Sequence, residues 1–270
     1  MTCFYKLKYL KKILIYYFLF NIRIYIKNRI FKNNNNLLNL KKIKNLHKGQ
    51  RCFIVANGPS LQVKDIEKLC NEITFTMNSI FMLKNKTSWK STYYCCCDDF
   101  HFRKMIELYK DDINNVCSSF KFINKKSEQA IRTNGISIDS SIFLDISDIN
   151  SLLSSDAKEK FYFRKDLTKG IYNCGTVTNV AIIIAMYMGI KEIYLLGVDC
   201  NYKTKEKHFE LDWNDRSMTI NQQEIVENRM RNGFKEISKI ANFLGVKIYN
   251  ATRGGMLEEF ERIDFDKIEL

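Results

Sequence analysis

The chain has 270 residues, 46% of them hydrophobic, which suffices to bury one large core and falls short of several domains. Its net charge of +13 sits at one end: residues 1–50 hold twelve Lys or Arg and no acid, leaving 31 basic against 30 acidic residues elsewhere. A nucleic-acid-binding domain carries its basic patch on the folded body, so this distribution speaks against that class. Nine cysteines without paired metal-ligand spacing speak against a disulfide framework and a zinc module, and fit small core residues in a reducing cytosol.

In chain order, residues 6–32 mix bulky apolar and aromatic side chains with Lys11, Lys12, Arg23, Lys27 and Arg29, and the longest uncharged stretch, 13–22, is ten residues. Crossing a bilayer takes roughly 20. No small-residue cleavage site follows, so a secretory signal is not expected. The pattern predicts a basic amphipathic helix in the cytoplasmic membrane interface, with Lys and Arg at anionic headgroups and the apolar side sunk in. The competing reading packs this helix on the body or on a partner. Residues 33–36, all Asn, read as a polar linker and 37–48 as a short basic segment, which divides the chain into an arm and linker (1–49) and a folded domain (50–270).

Residues 51–61, RCFIVANGPSL, carry an apolar run into a glycine turn and the chain's single proline. That is how the first strand of a doubly wound α/β domain presents a ligand with a tight turn and the free amides of a helix start. Gly58 allows close approach or positive φ, Pro59 fixes φ, Ser60 is a cap, and Asn57 brings a side chain that both donates and accepts. Val63, Ile66, Leu69 and Cys70 have helical spacing; residues 73–77 alternate like a strand ending at Asn78, a second ligand candidate. Residues 92–97 predict a third strand, with Cys95, Cys96 and Cys97 pointing to alternate faces, that runs into Asp98 and Asp99. Two carboxylates there suit a ribose, a metal or simply a solvated helix start. Residues 112–166 are less regular, with candidate strands at 120–123 and 141–144.

Residues 177–188 are apolar on nearly every side and predict a buried helix, ended by Gly189 and followed by a central strand over 192–198 that closes at Asp199. Before that helix, Gly175 and Thr176 form another amide-rich start. Residues 200–217 read as a lid or acceptor-side loop, in which His208 has the pKa range of a general base. Thr219 and Gln222 have capping-box spacing, and Val226, Met230, Phe234, Ile237, Ala241 and Leu244 form one helical stripe. A last strand over 246–249 leads to Asn250 and to Arg253, a candidate phosphate partner. The sum predicts an α/β chain: a Rossmann-like, doubly wound, mostly parallel sheet with helices on both faces and a nucleotide pocket along one edge, plus a basic amphipathic helical arm.

The GPSL turn, the strand ending in Asn78, the block GTVTNVAIIIAMYMGIKEIYLLGVD and the ending KIYNATRGGMLEEF resemble the 6-hydroxymethylpterin diphosphokinase MptE-like family from about residue 50 onward. The same turn and helix–strand–GVD order are similar to small bacterial sialyltransferases and to motility accessory factor transferases that glycosylate flagellin. The sialyltransferase resemblance implies that Asn57, Gly58, Ser60, Asn78, Gly175 and Thr176 hold a CMP-sugar donor, and it departs in one place, since those enzymes carry their histidine further beyond the aspartate than His208 stands from Asp199. Three readings follow. One is a glycosyltransferase at the inner face of the cell membrane, moving a sugar such as a nonulosonic acid from a CMP donor to a glycan or lipid-linked acceptor. There His208, with Asp199, handles the acceptor proton and no metal is required. Another is an ATP- and magnesium-dependent diphosphokinase with the metal on Asp98, Asp99 or Asp199. The third is a non-catalytic nucleotide-binding scaffold.

Overall fold

The computed structural model describes residues 35–137, 140–147, 166–172, 175–201 and 220–270, with 220–223 known by backbone alone, and five isolated positions: Ile15, Phe18, Leu19, Ile22 and Ile26. The described chain begins with helix α1 (Asn35–Lys42) and strand β1 (Arg51–Val55). Helix α2 (Val63–Glu67), β2 (Thr74–Met77), a 3-10 segment (Asn78–Asn85), β3 (Tyr93–Cys96), helix α3 (Asp99–Asn114), β4 (Lys121–Asn124), helix α4 (Glu128–Thr133) and β5 (Ser141–Leu144) follow. Short strands β6 (Ile146–Ser147) and β7 (Ile171–Tyr172) pair with each other. Helix α5 (Val177–Tyr187), β8 (Glu192–Leu196), helix α6 (Ile220–Leu244), β9 (Lys247–Asn250) and β10 (Glu261–Arg262) complete it.

Eight strands make one parallel sheet in the order β10-β9-β8-β1-β2-β3-β4-β5. Parallel sheets need cover on both faces, and the strand residues alternate accordingly. Cys52, Ile54, Ile193 and Leu195 join one core with Leu40 of α1, Val180 and Ile184 of α5 and Phe234 and Ile237 of α6. Phe53, Val55, Tyr194 and Leu196 join the other with Ile66 of α2, Phe102 and Met105 of α3 and Ile131 of α4. The fold is the α/β, Rossmann-like, doubly wound one expected. Helix α5 lies buried from Thr178 to Tyr187, as its all-round apolar character predicts. Cys95 and Cys96 do point into opposite cores, and burial pushes both thiols well above their ordinary range.

Residues 35–49, read from sequence as linker and basic segment, pack on the body. Leu37, Leu40 and Ile43 are buried, and the Tyr187 hydroxyl donates to the Leu40 carbonyl at 2.9 Å. His47 and Gly49 donate backbone N–H groups to the carbonyls of Met188 and Gly189 at 2.8 and 2.9 Å. The Asn36 amide donates to the Phe143 carbonyl at 2.8 Å and accepts the Phe143 N–H at 2.6 Å. One side chain thus satisfies both main-chain groups of a residue on the free edge of β5, which would otherwise offer itself to another strand.

Candidate functional site

Chain order reverses at β1: β2 to β5 build outward on one side, β8 to β10 on the other. At such a switch point the loops leaving the carboxyl ends of neighbouring strands diverge and leave a crevice. Here the crevice is a cleft of ≈ 530 Å³, counting the solvent at its mouth, lined by residues 56–58 after β1, Met77 and Asn78 at the end of β2, residues 176–178 at the start of α5, residues 197–201 after β8, and Met230 of α6.

The floor is backbone packed on backbone. The Gly58 N–H donates to the Gly197 carbonyl at 2.8 Å. A Cβ on Gly58 would stand 1.8 Å from Asp199 Oδ2 and 2.4 Å from the Gly197 carbonyl; one on Gly197, which has φ 65°, would stand 2.7 Å from the Ala56 carbonyl. Both glycines are therefore required by close approach.

Asn57 is buried, and its Nδ2 donates to the Met77 carbonyl at 3.0 Å and to Ser79 Oγ at 3.1 Å. This fixes the amide orientation, because the reverse would set an oxygen against the Met77 carbonyl. The remaining atom, Asn57 Oδ1, is buried without a hydrogen-bond partner among the described residues. An orphaned buried acceptor costs about 1–3 kcal/mol, and this one belongs to a residue that lines the cleft. Between the two residues that the Asn57 amide bonds, Asn78 holds φ 49°, a left-handed conformation that Asn tolerates better than most residues, and its carbonyl accepts the Tyr94 hydroxyl at 2.7 Å. Thr176 caps the eleven-residue α5, its Oγ1 accepting from the Thr178 N–H at 3.4 Å. Residues 176–178 of that helix start line the cleft, and a helix start favours a negative group.

Asp199 is half-buried and accepts from Ser60 Oγ at 2.8 Å. Burial pushes its carboxyl up from the ordinary value, against the downward pull of the Ser60 bond. The ionised form is thus less welcome in the folded protein than in the unfolded chain, so stability is greater while the group is protonated and is lost as pH rises through the folded-state pKa. Asp199→Asn is expected to raise Tm at neutral pH and to flatten the decline in Tm from acidic to neutral pH; an unchanged or lowered Tm would contradict this account of its surroundings.

The structure brings together Asn57, Gly58, Asn78, Thr176 and Asp199 at one cleft, and Gly175 beside it, with φ 89° and its carbonyl accepting from Arg229 Nη2 at 3.4 Å. It leaves others apart. Pro59 is exposed and outside the lining, and Ser60 caps no helix, because α2 starts at Val63 with Gln62 before it; Ser60 instead holds Asp199. With only five residues, α2 offers no anion site of its own. Asp98 caps α3, accepting the His101 N–H at 2.9 Å, and Asp99 accepts from Arg103 at 3.0 Å and Ser127 at 2.7 Å. Asp98, Asp99 and Asp199 therefore serve separate partners, and no group of three metal-ligating side chains exists among the described residues. Asn250 is fully buried, bonded to the Leu257 carbonyl at 2.8 Å and the Thr252 N–H at 3.1 Å. Arg253 donates to Asp65 at 2.6 and 3.0 Å and to Asp266 at 2.8 Å, an arrangement that ties the C-terminal segment to α2 and engages its guanidinium away from the cleft lining. His208 and Thr219 lie outside the described residues. Sequence reading missed Thr178, Asn201 and Met230; Asn201 follows the same strand end as Asp199 and was within reach of that argument, whereas nothing local marks Met230.

Residues 28–205 match the family described as 6-hydroxymethylpterin diphosphokinase MptE-like. The chain belongs to this family. No curated protein matches it. Two solved structures share the MptE-like chain's fold. One is the MAf glycosyltransferase from Magnetospirillum magneticum AMB-1, with TM-score 0.53 and 15% identity, covering 87% of this chain, which spans 39% of that protein. The other is the sialyltransferase CST-II in complex with CMP, with TM-score 0.50 and 18% identity, covering 81% of this chain and 89% of that one.

Proposed function

We propose that this chain is a glycosyltransferase that takes a sugar from a CMP-activated donor, a nonulosonic acid being the class favoured, and passes it to a surface glycan or lipid-linked acceptor. The observation that carries the reading is the orphaned Asn57 Oδ1 of a residue lining a switch-point cleft that Asn78 and the start of α5 also line. An unpaired acceptor calls for a ligand group with a hydrogen to give, such as a ribose hydroxyl or the amino group of cytosine. The α5 start would receive the phosphate and stabilise it as it leaves with its charge. Asp199, less acidic than an ordinary carboxylate, would accept a hydrogen bond from donor or acceptor hydroxyl, and His208 keeps the role of acceptor base in this proposal. Support comes from two neighbours of the same fold, a MAf glycosyltransferase and a sialyltransferase in complex with CMP.

A second reading, pyrophosphoryl transfer from ATP to a pterin alcohol with magnesium, is favoured by the description of the family itself. One measurement separates the two. Thermal unfolding would be followed with CMP, CDP, UDP, GDP and ATP, each with magnesium and with EDTA. A ligand at 100 times its Kd stabilises by about 2.7 kcal/mol, and CMP is expected to do so equally in magnesium and EDTA. Stabilisation by ATP alone and only with magnesium would replace the transferase reading by the kinase one.

A further inference from the structure

A second hollow, of ≈ 730 Å³ counting the solvent at its mouth against ≈ 530 Å³ for the cleft, opens between the 3-10 segment after β2, residues 87–90 before β3 and the end of α3. Its lining shares no residue with that of the cleft, although the 3-10 segment runs from Asn78 in one to Leu83 and Lys84 in the other. Local irregularity leaves room for it. The segment stays 3-10 over eight residues, an uncommon length for that geometry, and α3 breaks at Tyr109, which has φ −135° and ψ 31°. The Tyr109 and Phe81 rings meet at 5.2 Å, so these two irregular elements pack on each other. Interiors are otherwise close-packed, and open hollows with apolar walls and a few polar groups are where small molecules bind.

The buried part of the lining is apolar: Ile80, Phe81, Leu83 and Val116. Trp89 adds a second aromatic ring and a polar atom, for its indole Nε1 is buried and has no hydrogen-bond partner among the described residues. An indole N–H can only donate, and it is usually paired when buried. The lining also carries charge. Lys84 donates to both carboxylate oxygens of Asp112, at 2.8 and 2.7 Å, so these two balance each other. Lys90 is exposed and makes no ion pair among the described residues, which leaves the lining one positive charge. The Thr76 and Thr87 hydroxyls are engaged elsewhere, with Ser91 at 2.7 Å and Glu67 at 2.8 Å. An apolar hollow with two aromatic rings, an unanswered donor and an unbalanced cation complements a molecule with an aromatic body and an anionic acceptor. One lysine suits a carboxylate, whereas a phosphate calls for more donors or for arginine.

We propose that this hollow is a binding site for a small aromatic carboxylic acid, its ring against Phe81, Leu83 and Trp89 and its carboxylate held by Lys90 and the Trp89 indole N–H. The site is separate from the switch-point cleft, and it stands whether or not the donor reading above does.

The test follows the indole N–H resonances of the isotope-labelled full chain as phenylacetate and hydrocinnamate are added into the millimolar range, each beside its primary amide, with no nucleotide present. The chain has two tryptophans, Trp89 and Trp213, and Trp89→Phe identifies the resonance of the first. At least one of the acids is expected to move the Trp89 resonance to saturation, its amide to need a higher concentration, and acetate and inorganic phosphate to leave it in place. Lys90→Gln, at an exposed position, should weaken the acid by about threefold, with Tm unchanged and the amide's affinity as before. A Trp89 resonance that neither acid moves would overturn the proposal. So would acid and amide acting alike in wild type and Lys90→Gln protein. If inorganic phosphate moved the resonance as strongly as the acids, the hollow would be a plain anion site and the aromatic-acid reading would fall.

Discussion

Replacing Arg253 by methionine is expected to cost about 3 kcal/mol of stability, a fall in Tm of roughly 10 °C, and to leave CMP affinity unchanged. The reason lies in Asp65, whose side chain is 3% exposed and whose carboxylate receives two of the guanidinium's N–H groups. Removing the cation strands a buried charge, and the loss reflects that stranded charge more than the worth of the pair itself. Asp266, 51% exposed, keeps Lys68 at 3.1 Å and adds little to the penalty. The companion variant is Asp65→Asn with Arg253→Met, in which no charge is left uncompensated; it should recover most of the lost stability. Denaturant titrations of the wild type, both single variants and the double variant give the cycle. If Arg253→Met weakened CMP binding at a temperature where it remains folded, the guanidinium would return to the ligand and the clamp would be a secondary role.

Gly58→Ala should damage both the fold and the cleft. The Asp199 carboxylate can rotate away from the new methyl group, but the Gly197 carbonyl, 2.4 Å from it, is main chain held by the Gly58 N–H and cannot. The ends of β1 and β8 must therefore separate, at about 1–3 kcal/mol by comparison with other overpacked sites. The walls that separate are those of the cleft, so the stabilisation by CMP should disappear as well. Adding Asp199→Gly removes only the yielding half of the collision and is expected to restore little. A Gly58→Ala protein with wild-type Tm and wild-type CMP response would show that the two turns do not approach as described.

What the sequence makes legible follows the range of the forces. The 141–144 strand, the 177–188 helix and the long stripe from Val226 to Leu244 rest on periodicity that is written locally; the first two are found within a residue of their predicted bounds, and the stripe lies within the longer helix Ile220–Leu244. The cleft residues Asn57, Asn78 and Thr176 could be read because strand ends and helix starts have a known place in such sheets. Arg253 could not: its partner Asp65 is distant in sequence, and no local pattern distinguishes an arginine that meets phosphate from one that meets a carboxylate. Ser60 fails for a related reason. A serine after proline resembles a cap, yet the helix begins further on, and the hydroxyl serves Asp199 instead. The asparagine-rich stretch around Asn36 reads as linker by composition, whereas its side chain finds the edge of β5 across the whole first half of the fold.

The position of β1 has a further consequence, for the nascent chain. Its two neighbours arrive very unequally: β2 begins at Thr74, but β8, which pairs Glu192 with Arg51, emerges from the ribosome about 140 residues after β1, a delay of roughly 7–28 s at common elongation rates. Throughout that interval the apolar strand that will become the centre of the sheet has one open edge, and the helix that covers it, α5, is synthesised only just before its partner. Translation speed and chaperone occupancy over this window, more than the stability of the finished sheet, would then govern how much of the protein reaches its native state.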